Sequence, residues 1–519
     1  MNPRNIFILA SCIVVSLVGT LSYFWTPKVL WSLVVFGPLI LIGIVDILQK
    51  KHAIKRNFPV LGHGRYMLEK IRPEIMQYFV ETDTEGRPIS RVFRSLIYQR
   101  AKNVNDTVPF GTQMDVYEVG YEWMDHSMYA SIHLDNEEPR VLVGGPDCKQ
   151  PYSASVLNIS AMSFGSLSKN AVLALNKGAK MGGFAHNTGE GGISSYHLEP
   201  GGDLIWQVGT GYFGCRTEDG KFSPELFEEK ATLENVKMIE LKLSQGAKPG
   251  HGGILPASKN TEEIAKIRHV KPHTAVHSPP SHSAFSSAEG LMEFIGLLRE
   301  KSGGKPVGFK LCVGKKQEFI DICEAMIKTG IKPDFITVDG GEGGTGAAPV
   351  EFSNSLGMPM IDALAFVVDT LIGYDLKKDI RVIASGKIIS GFDIARVIAI
   401  GADMANSARA MMMSIGCIQA LQCNNNTCPV GVATQKKGLM KGLDVEDKAK
   451  RAESYHRRTI ISFSELIAAT GVHTPQELTR AMINRRAEEH LVLKYSDIFP
   501  ETEAGSLLTK ELESDYRNN

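Results

Sequence analysis

Hydrophobic positions along the chain fall into two regimes. Over 5–27 no charged residue interrupts the run NIFILASCIVVSLVGTLSYFWTP, and directly after Lys28 a second uncharged run, VLWSLVVFGPLILIGIV, covers 29–45. As a helix, each is long enough to cross a hydrocarbon layer of about 30 Å. Trp25 and Trp31 flank the joint, where interfacial aromatics are favoured. The pattern predicts a tight transmembrane hairpin. A cleaved signal peptide would want a more basic start and a small-residue exit site, and the lipoprotein-like box Leu9, Ala10, Ser11, Cys12 has too few apolar residues before it. Lys50, Lys51, Lys55 and Arg56 follow as a basic cluster of the kind retained in the cytoplasm. The expected topology is a two-helix, multi-pass anchor in the cell inner membrane with the catalytic body cytoplasmic.

From 155 onward the pattern changes to short β-rich runs separated by Gly-rich turns and amphipathic stretches, at 156–160, 184–186, 205–208, 238–243, 274–277, 307–311, 335–338 and 381–384. Buried strands alternating with helices imply parallel βα units. That many strands over about 250 residues suit a barrel better than an open doubly wound sheet. The expected fold class is α/β: a (β/α)8 TIM barrel with an N-terminal transmembrane helical hairpin and a helical C-terminal extension. The expected divisions are the anchor (1–50), a lead-in with helix-like patterning at 66–79 (51–150), the barrel (151–471), and a helical extension and tail (472–519). Thr474, Pro475 and Glu477 in the extension read as a capping box. Catalytic groups of such barrels sit just after strand ends. The unusual residues fall there, at 163–165, 187–192, 244–253, 339–346 and 385–387.

Composition sharpens the chemistry. Lys plus Arg (57) balance Asp plus Glu (57), so no basic surplus exists to neutralise phosphates, which argues against a nucleic-acid partner. Eight Cys in 519 residues are too sparse for a disulfide scaffold and fit a reducing compartment, where clustered thiols point to metal or catalysis. Cys417, Cys423 and Cys428 are so clustered, in CIQALQCNNNTCP. Three thiolates this close can converge on a soft metal centre, and a Pro after the last Cys is a feature of iron–sulfur ligand loops. Structural zinc would want a fourth ligand and CxxC pairs. The expectation is an iron–sulfur cluster with three protein ligands; chance clustering of buried thiols is the plain alternative.

The loop DGGEGGTGAAP (339–349) follows the strand FITV. Gly341, Gly343 and Gly346 satisfy a GxGxxG spacing, but Pro349 and the lack of a helix opening argue against a dinucleotide fold. Its bare amides, like those of Ser385, Gly386 and Lys387, can still approach a phosphate or a flat cofactor. Two earlier loops carry Glu190 (in NTGEGG) and Lys242, Gln245, Lys248 and His251 (in KLSQGAKPGHGG). Lysines ending a buried strand are costly unless they meet anions, so a carboxylate-bearing ligand is expected there, against the alternative of solvated loop lysines. Arg268 in IAKIRHV can clamp a second carboxylate, or be an ordinary surface arginine of a helix.

Together SAMSFGSLSKNA (160–171), NTGEGG (187–192), KLSQGAKPGHGG (242–253), SPPSH (278–282), the DGGEGGTGAAP loop and CIQALQCNNNTCPVGVATQ (417–435) closely resemble the FMN-binding synthase domain of glutamate synthases, from 153 to about 471. The resemblance implies a (β/α)8 barrel carrying FMN and a [3Fe-4S] cluster that reduces 2-iminoglutarate, formed from 2-oxoglutarate and ammonia, to L-glutamate. It implies Cys417, Cys423 and Cys428 as cluster ligands. Glu190, Gln245, Lys248 and Arg268 match substrate-carboxylate and catalytic positions, and Lys242 and Lys310 match lysines near the flavin. Met162, Ser163, Gly344, Thr345 and Gly386 lie in loops expected to touch FMN. A Lys–Arg pair fixing both carboxylates would set C2 against the flavin by orientation, with Glu190 managing protons at the imine nitrogen.

The chain departs from the large enzymes of that family in three respects. Met1 is followed by Asn2, so the expectation is that the glutaminase domain and its N-terminal Cys nucleophile are absent; a NAD(P)H-binding domain is likewise not expected. The resemblance then implies a separate electron donor, ferredoxin or a reductase, and an amine supplied either free or by a separate ammonia-supplying subunit. His251 stands where those enzymes carry Glu and Ile254 where they resemble Gln, so the loop is open to another amine or acid. Two further readings stay open: an N-methylglutamate synthase-like enzyme, and a membrane-associated electron-transfer subunit.

Overall fold

A computed structural model describes residues 2–104, 107–131 and 138–508. The chain divides into two compact units, Met1–Arg91 and Val92–Asn519, a boundary that falls inside the expected lead-in. In the first unit, helices Pro3–Phe24 and Leu33–Leu48 are joined by the 3-10 turn Pro27–Ser32. The spans Pro3–Phe24 and Pro27–Leu48 have 22 residues each and mean hydropathies of 2.2 and 2.3, long and apolar enough to cross a membrane. Asn2 and Thr26 cap the starts, each ahead of a Pro in the first turn. The Phe7 ring lies so close over Gly43 that no side chain fits there, which lets the two helices approach. Helices Ala53–Asn57 and Gly62–Ile75 and the π-helical turn Met76–Val80 follow.

The second unit is built on a closed eight-stranded parallel barrel. Its strands are β1 Leu157–Ile159, β2 His186–Asn187, β3 Leu204–Val208, β4 Val236–Lys242, β5 Val307–Leu311, β6 Phe335–Asp339, β7 Arg381–Ser385 and β8 Met404–Ser407. Consecutive strands pair in register, and β8 closes on β1 through Asn406 opposite Asn158. These strands are buried on both faces, which is why they read as continuous apolar runs.

The expected barrel is present, with one exchange of strands. Residues 274–277 are not a barrel strand: Val276–His277 pairs antiparallel with Ile254–Leu255 in an excursion between β4 and β5. The eighth strand is Met404–Ser407, whose sequence MANS ends in two buried polar residues that hide the β signature.

Side-chain caps set the helix starts between strands. Ser168 begins Lys169–Gly182, Ser223 begins Pro224–Ala231, Thr261 begins Glu262–Arg268 and Ser287 begins Ala288–Lys301. The long helix Val445–Ala469, capped by Asp444, packs on Lys169–Gly182. A Cβ at Gly178 would lie 2.8 Å from the Ala449 carbonyl oxygen, so only glycine allows that approach. Beyond Ala469 the extension departs from helix. Thr474 and Glu477 bracket only the 3-10 turn Pro475–Glu477, and Ile483–Glu488 and Leu491–Lys494 form an antiparallel sheet with Glu122–Met124. Buried Arg480 ties this region to the barrel layer by pairing with Asp369 at 2.6 Å.

Candidate active site

The C-terminal ends of the strands carry an unusual density of buried charge. Lys242, the last residue of β4, pairs through Nζ with Glu190 Oε1 at 2.8 Å, and both side chains are largely buried. Glu190 stands in the turn after β2, where Asn187 Oδ1 accepts from the Gly189 amide at 3.0 Å and shapes the NTGEGG bend. Burial opposes the Glu190 charge, but Lys242, Lys248 and Arg268 together hold its carboxyl below the usual range. Lys248 is buried and donates to the Ala347 carbonyl at 2.9 Å, which joins the loop after β4 to the Gly-rich loop after β6. Burial and the neighbouring Lys242 lower Lys248 to about 8, against the pull of Glu190.

Arg268 is not a surface arginine. It ends helix Glu262–Arg268, is buried, and donates to Ser163 Oγ at 3.3 Å and the Phe164 carbonyl at 3.1 Å. Its guanidinium lies 5.2 Å from the Phe213 ring centre, and burial lowers it to about 10. Glu190, Lys242, Lys248 and Arg268 therefore interact as one group. Gln245 is half-buried in the turn between them, beside Gly246, whose amide donates to Asp339 Oδ2 at 2.9 Å.

A second charged pair lies across the β4–β5 ladder, where Lys310 is in register with Lys242. Lys310 Nζ meets Asp339 Oδ2 at 3.1 Å; burial works against its charge, and Asp339 and Glu240 overcome this to raise it. Met162 is buried next to Ser163, and Gly386 closes β7 beside the Gly340 amide. Gly344 and Thr345 are exposed on the rim, outside the buried group, with Gly344 against the Arg409 side chain.

Three participants were not singled out from the sequence. Glu240 is fully buried in the barrel interior and accepts from Asn187, Gln207 and Thr337 at 2.8, 2.7 and 2.7 Å. The signal was available: it lies two residues before Lys242 on β4, hence on the same face of the strand. Asp339 was noted only as the start of a Gly-rich loop. His282, the last residue of SPPSH, donates through Nε2 to the Lys242 carbonyl at 2.8 Å and accepts from Tyr212 OH at 3.0 Å. Burial drops it to about 4, so it is neutral and steadies the end of β4.

The arrangement fits a flat anionic cofactor at this end of the barrel. Asn406 Oδ1 and Arg268 Nε are buried there without a hydrogen-bond partner among the described residues, and Gly340 and Gly386 bring bare backbone together. The cysteine loop sits alongside. Asn426 donates to the Ser258 carbonyl at 2.8 Å, and Gln435 to the Gly165 and Leu167 carbonyls at 3.1 and 2.8 Å. Burial raises the Cys417 thiol to about 12, with nearby Cys423 and Cys428 adding to it, so the three feel one another. Among the described residues no three His, Cys, Asp or Glu close on a single metal ion. Buried Lys259, lowered by burial to about 8, faces Cys423 and Cys428 and supplies a counter-charge.

Residues 104–473 match the family described as the conserved region in glutamate synthase. The chain is 38% identical over 503 residues to the glutamate synthase large subunit-like protein YerD of Bacillus subtilis, covering 88% of this chain and 94% of that one. It is 34% identical over 321 residues to the archaeal glutamate synthase (NADPH) of Methanocaldococcus jannaschii, covering 62% of this chain and 60% of that relative's length. Among solved structures, the recombinant flavin-binding domain of baker's yeast flavocytochrome b2 aligns with a TM-score of 0.43 at 13% identity, over 77% of this chain and 80% of that one.

Proposed function

Because the chain belongs to the glutamate synthase family, whose conserved region spans most of it, we propose that it is an oxidoreductase reducing 2-iminoglutarate to L-glutamate, with FMN and a [3Fe-4S] cluster as cofactors. The observation that carries this reading is the buried group Glu190, Lys242, Lys248 and Arg268 at the strand ends. Three cations around one carboxylate leave a surplus of positive charge, which suits a dicarboxylate. Lys248 and Arg268 bind its two ends and so orient C2. Glu190, held ionised, accepts a hydrogen bond from the substrate nitrogen and manages the proton there.

Met162, Ser163, Lys310, Gly344, Thr345 and Gly386 would hold FMN, and Cys417, Cys423 and Cys428 the cluster. FMN supplies two-electron chemistry and the cluster single electrons. Reduction of the C=N bond takes two electrons and two protons, one hydrogen to C2 and one to nitrogen, from a separate donor such as ferredoxin or a reductase. The two apolar helices serve as the membrane anchor, with the barrel cytoplasmic.

Purified protein given dithionite, 2-oxoglutarate and ammonium is expected to form glutamate. Absence of flavin absorption and of acid-labile sulfide overturns the reading. Methylamine in place of ammonium tests the N-methylglutamate alternative, and cluster reduction without either product tests the electron-transfer one.

A further inference from the structure

We propose that the helix Gly62–Ile75, with the turn that extends it, lies flat on the membrane, with its apolar side in the headgroup and acyl boundary of anionic lipid. Leu61, Leu68, Ile71 and Ile75 fall within an arc of about 80° when each residue turns about 100° around the axis, and Tyr78 and Phe79 follow in the π-helical turn Met76–Val80. All six are exposed, from 38% at Ile75 to 84% at Phe79. The helix packs on its neighbour through its other side. The Tyr66 ring meets His52 at 5.2 Å and Lys55 at 5.0 Å, and the Gly62 backbone is pressed against Lys55, where a Cβ would lie 2.8 Å from its Cα. A helix of a water-soluble domain would turn its apolar stripe inward and its polar side out; here the polar side is used and the stripe is left out.

Its position relative to the apolar hairpin is fixed. Asp46, in the last turn of Leu33–Leu48, is buried and accepts from the Val60 amide at 3.0 Å and from His63 Nε2 at 2.9 Å. Arg56 Nε donates to the Ile47 carbonyl at 3.2 Å at the same helix end. The amphipathic helix thus starts where the second span ends. Arg65 and Arg72 border the stripe, as suits anionic headgroups, and aromatic Tyr78 and Phe79 suit the interface. The inference rests on reading the hairpin as a membrane anchor.

The test uses the purified full chain in vesicles of phosphatidylethanolamine and phosphatidylglycerol, with Leu68→p-benzoylphenylalanine, Phe79→p-benzoylphenylalanine and, off the stripe, Glu69→p-benzoylphenylalanine. Irradiation is expected to give severalfold more lipid adduct at 68 and 79 than at 69. Equal yields at the three positions, or chain-to-chain adducts at 68 and 79, overturn the proposal; the latter outcome assigns the stripe to a second copy of this chain. Carbonate washing separates the two readings. A chain released by carbonate that still forms the lipid adducts overturns the spanning hairpin alone, whereas a retained chain without adducts overturns the surface helix alone.

Discussion

The mouth of the barrel and the N-terminal unit break opposite rules of burial. At the mouth, Lys242, Lys248, Arg268, Lys310 and Glu240 are buried, although such groups almost never leave water unpaired. In the N-terminal unit, the apolar side chains of both long helices and of the stripe on Gly62–Ile75 stand exposed. Each departure costs free energy in isolation and points to something that offsets it, an anionic substrate and cofactor in one case and lipid in the other. Buried charge with a surplus of one sign therefore suggests a ligand of the other sign, and exposed apolar surface suggests an apolar partner.

Removing a proposed cluster ligand should break the mouth most severely. Cys428→Ala is expected to abolish turnover and bring iron and acid-labile sulfide to background, measured together by elemental and sulfide analysis. Next, Lys242→Met leaves Glu190 buried without its nearest counter-charge; a loss of about 3–5 kcal/mol in denaturant unfolding is expected. The double variant Lys242→Met with Glu190→Gln should recover a good part of that loss, and failure to recover it would show that the two side chains act independently. Lys248→Ala should lower kcat/KM for 2-oxoglutarate by roughly 10²-fold, the worth of a charge-assisted hydrogen bond of about 2–3 kcal/mol, with little change in thermal stability.

The pH dependence has a definite sign. Lys248 is protonated below about 8 and loses its charge as pH rises through that value, so kcat/KM for the dianion should fall above about pH 8. Lys248→Arg should remove that limb of the profile, because a guanidinium stays charged. The smallest effect is expected at the other region: Phe79→Ser should leave barrel stability within about 0.5 kcal/mol and turnover in detergent unchanged, checked by calorimetry and a steady-state assay.

The barrel was legible because strands buried on both faces announce themselves as apolar runs. The two places where that failed have physical causes. Val276 and His277 have β character but spend it on a two-residue antiparallel pairing outside the barrel. Met404–Ser407 holds a barrel position but ends in the buried polar residues Asn406 and Ser407, so polarity masked it. The C-terminal hairpin was hidden by charge: INRRAE is half-exposed and its register shifts between Arg486 and Glu488, which removes any clean alternation. At the site, the motif loops pointed to Lys242 and Lys248, which the fold brings together around Glu190. Glu240 and Asp339 escaped because an acidic residue inside an apolar strand, or at its end, reveals its partner only when neighbouring strands are aligned.

The loop after β4 is clasped at two glycines. Gly246 lies against the Gly340 carbonyl and Gly252 against the Ser278 carbonyl, each so closely that no side chain can be accommodated. Between them Pro249, Gly250 and His251 are only partly covered. A side chain at either clasp would have to push backbone away, so substitution is accommodated at the less covered positions 249–251 and not at the two ends of the loop. His251 sits in that stretch, edge-on to Phe352 at 5.4 Å. A different side chain at His251 would therefore reshape the loop while buried Lys248 stays anchored on the Ala347 carbonyl.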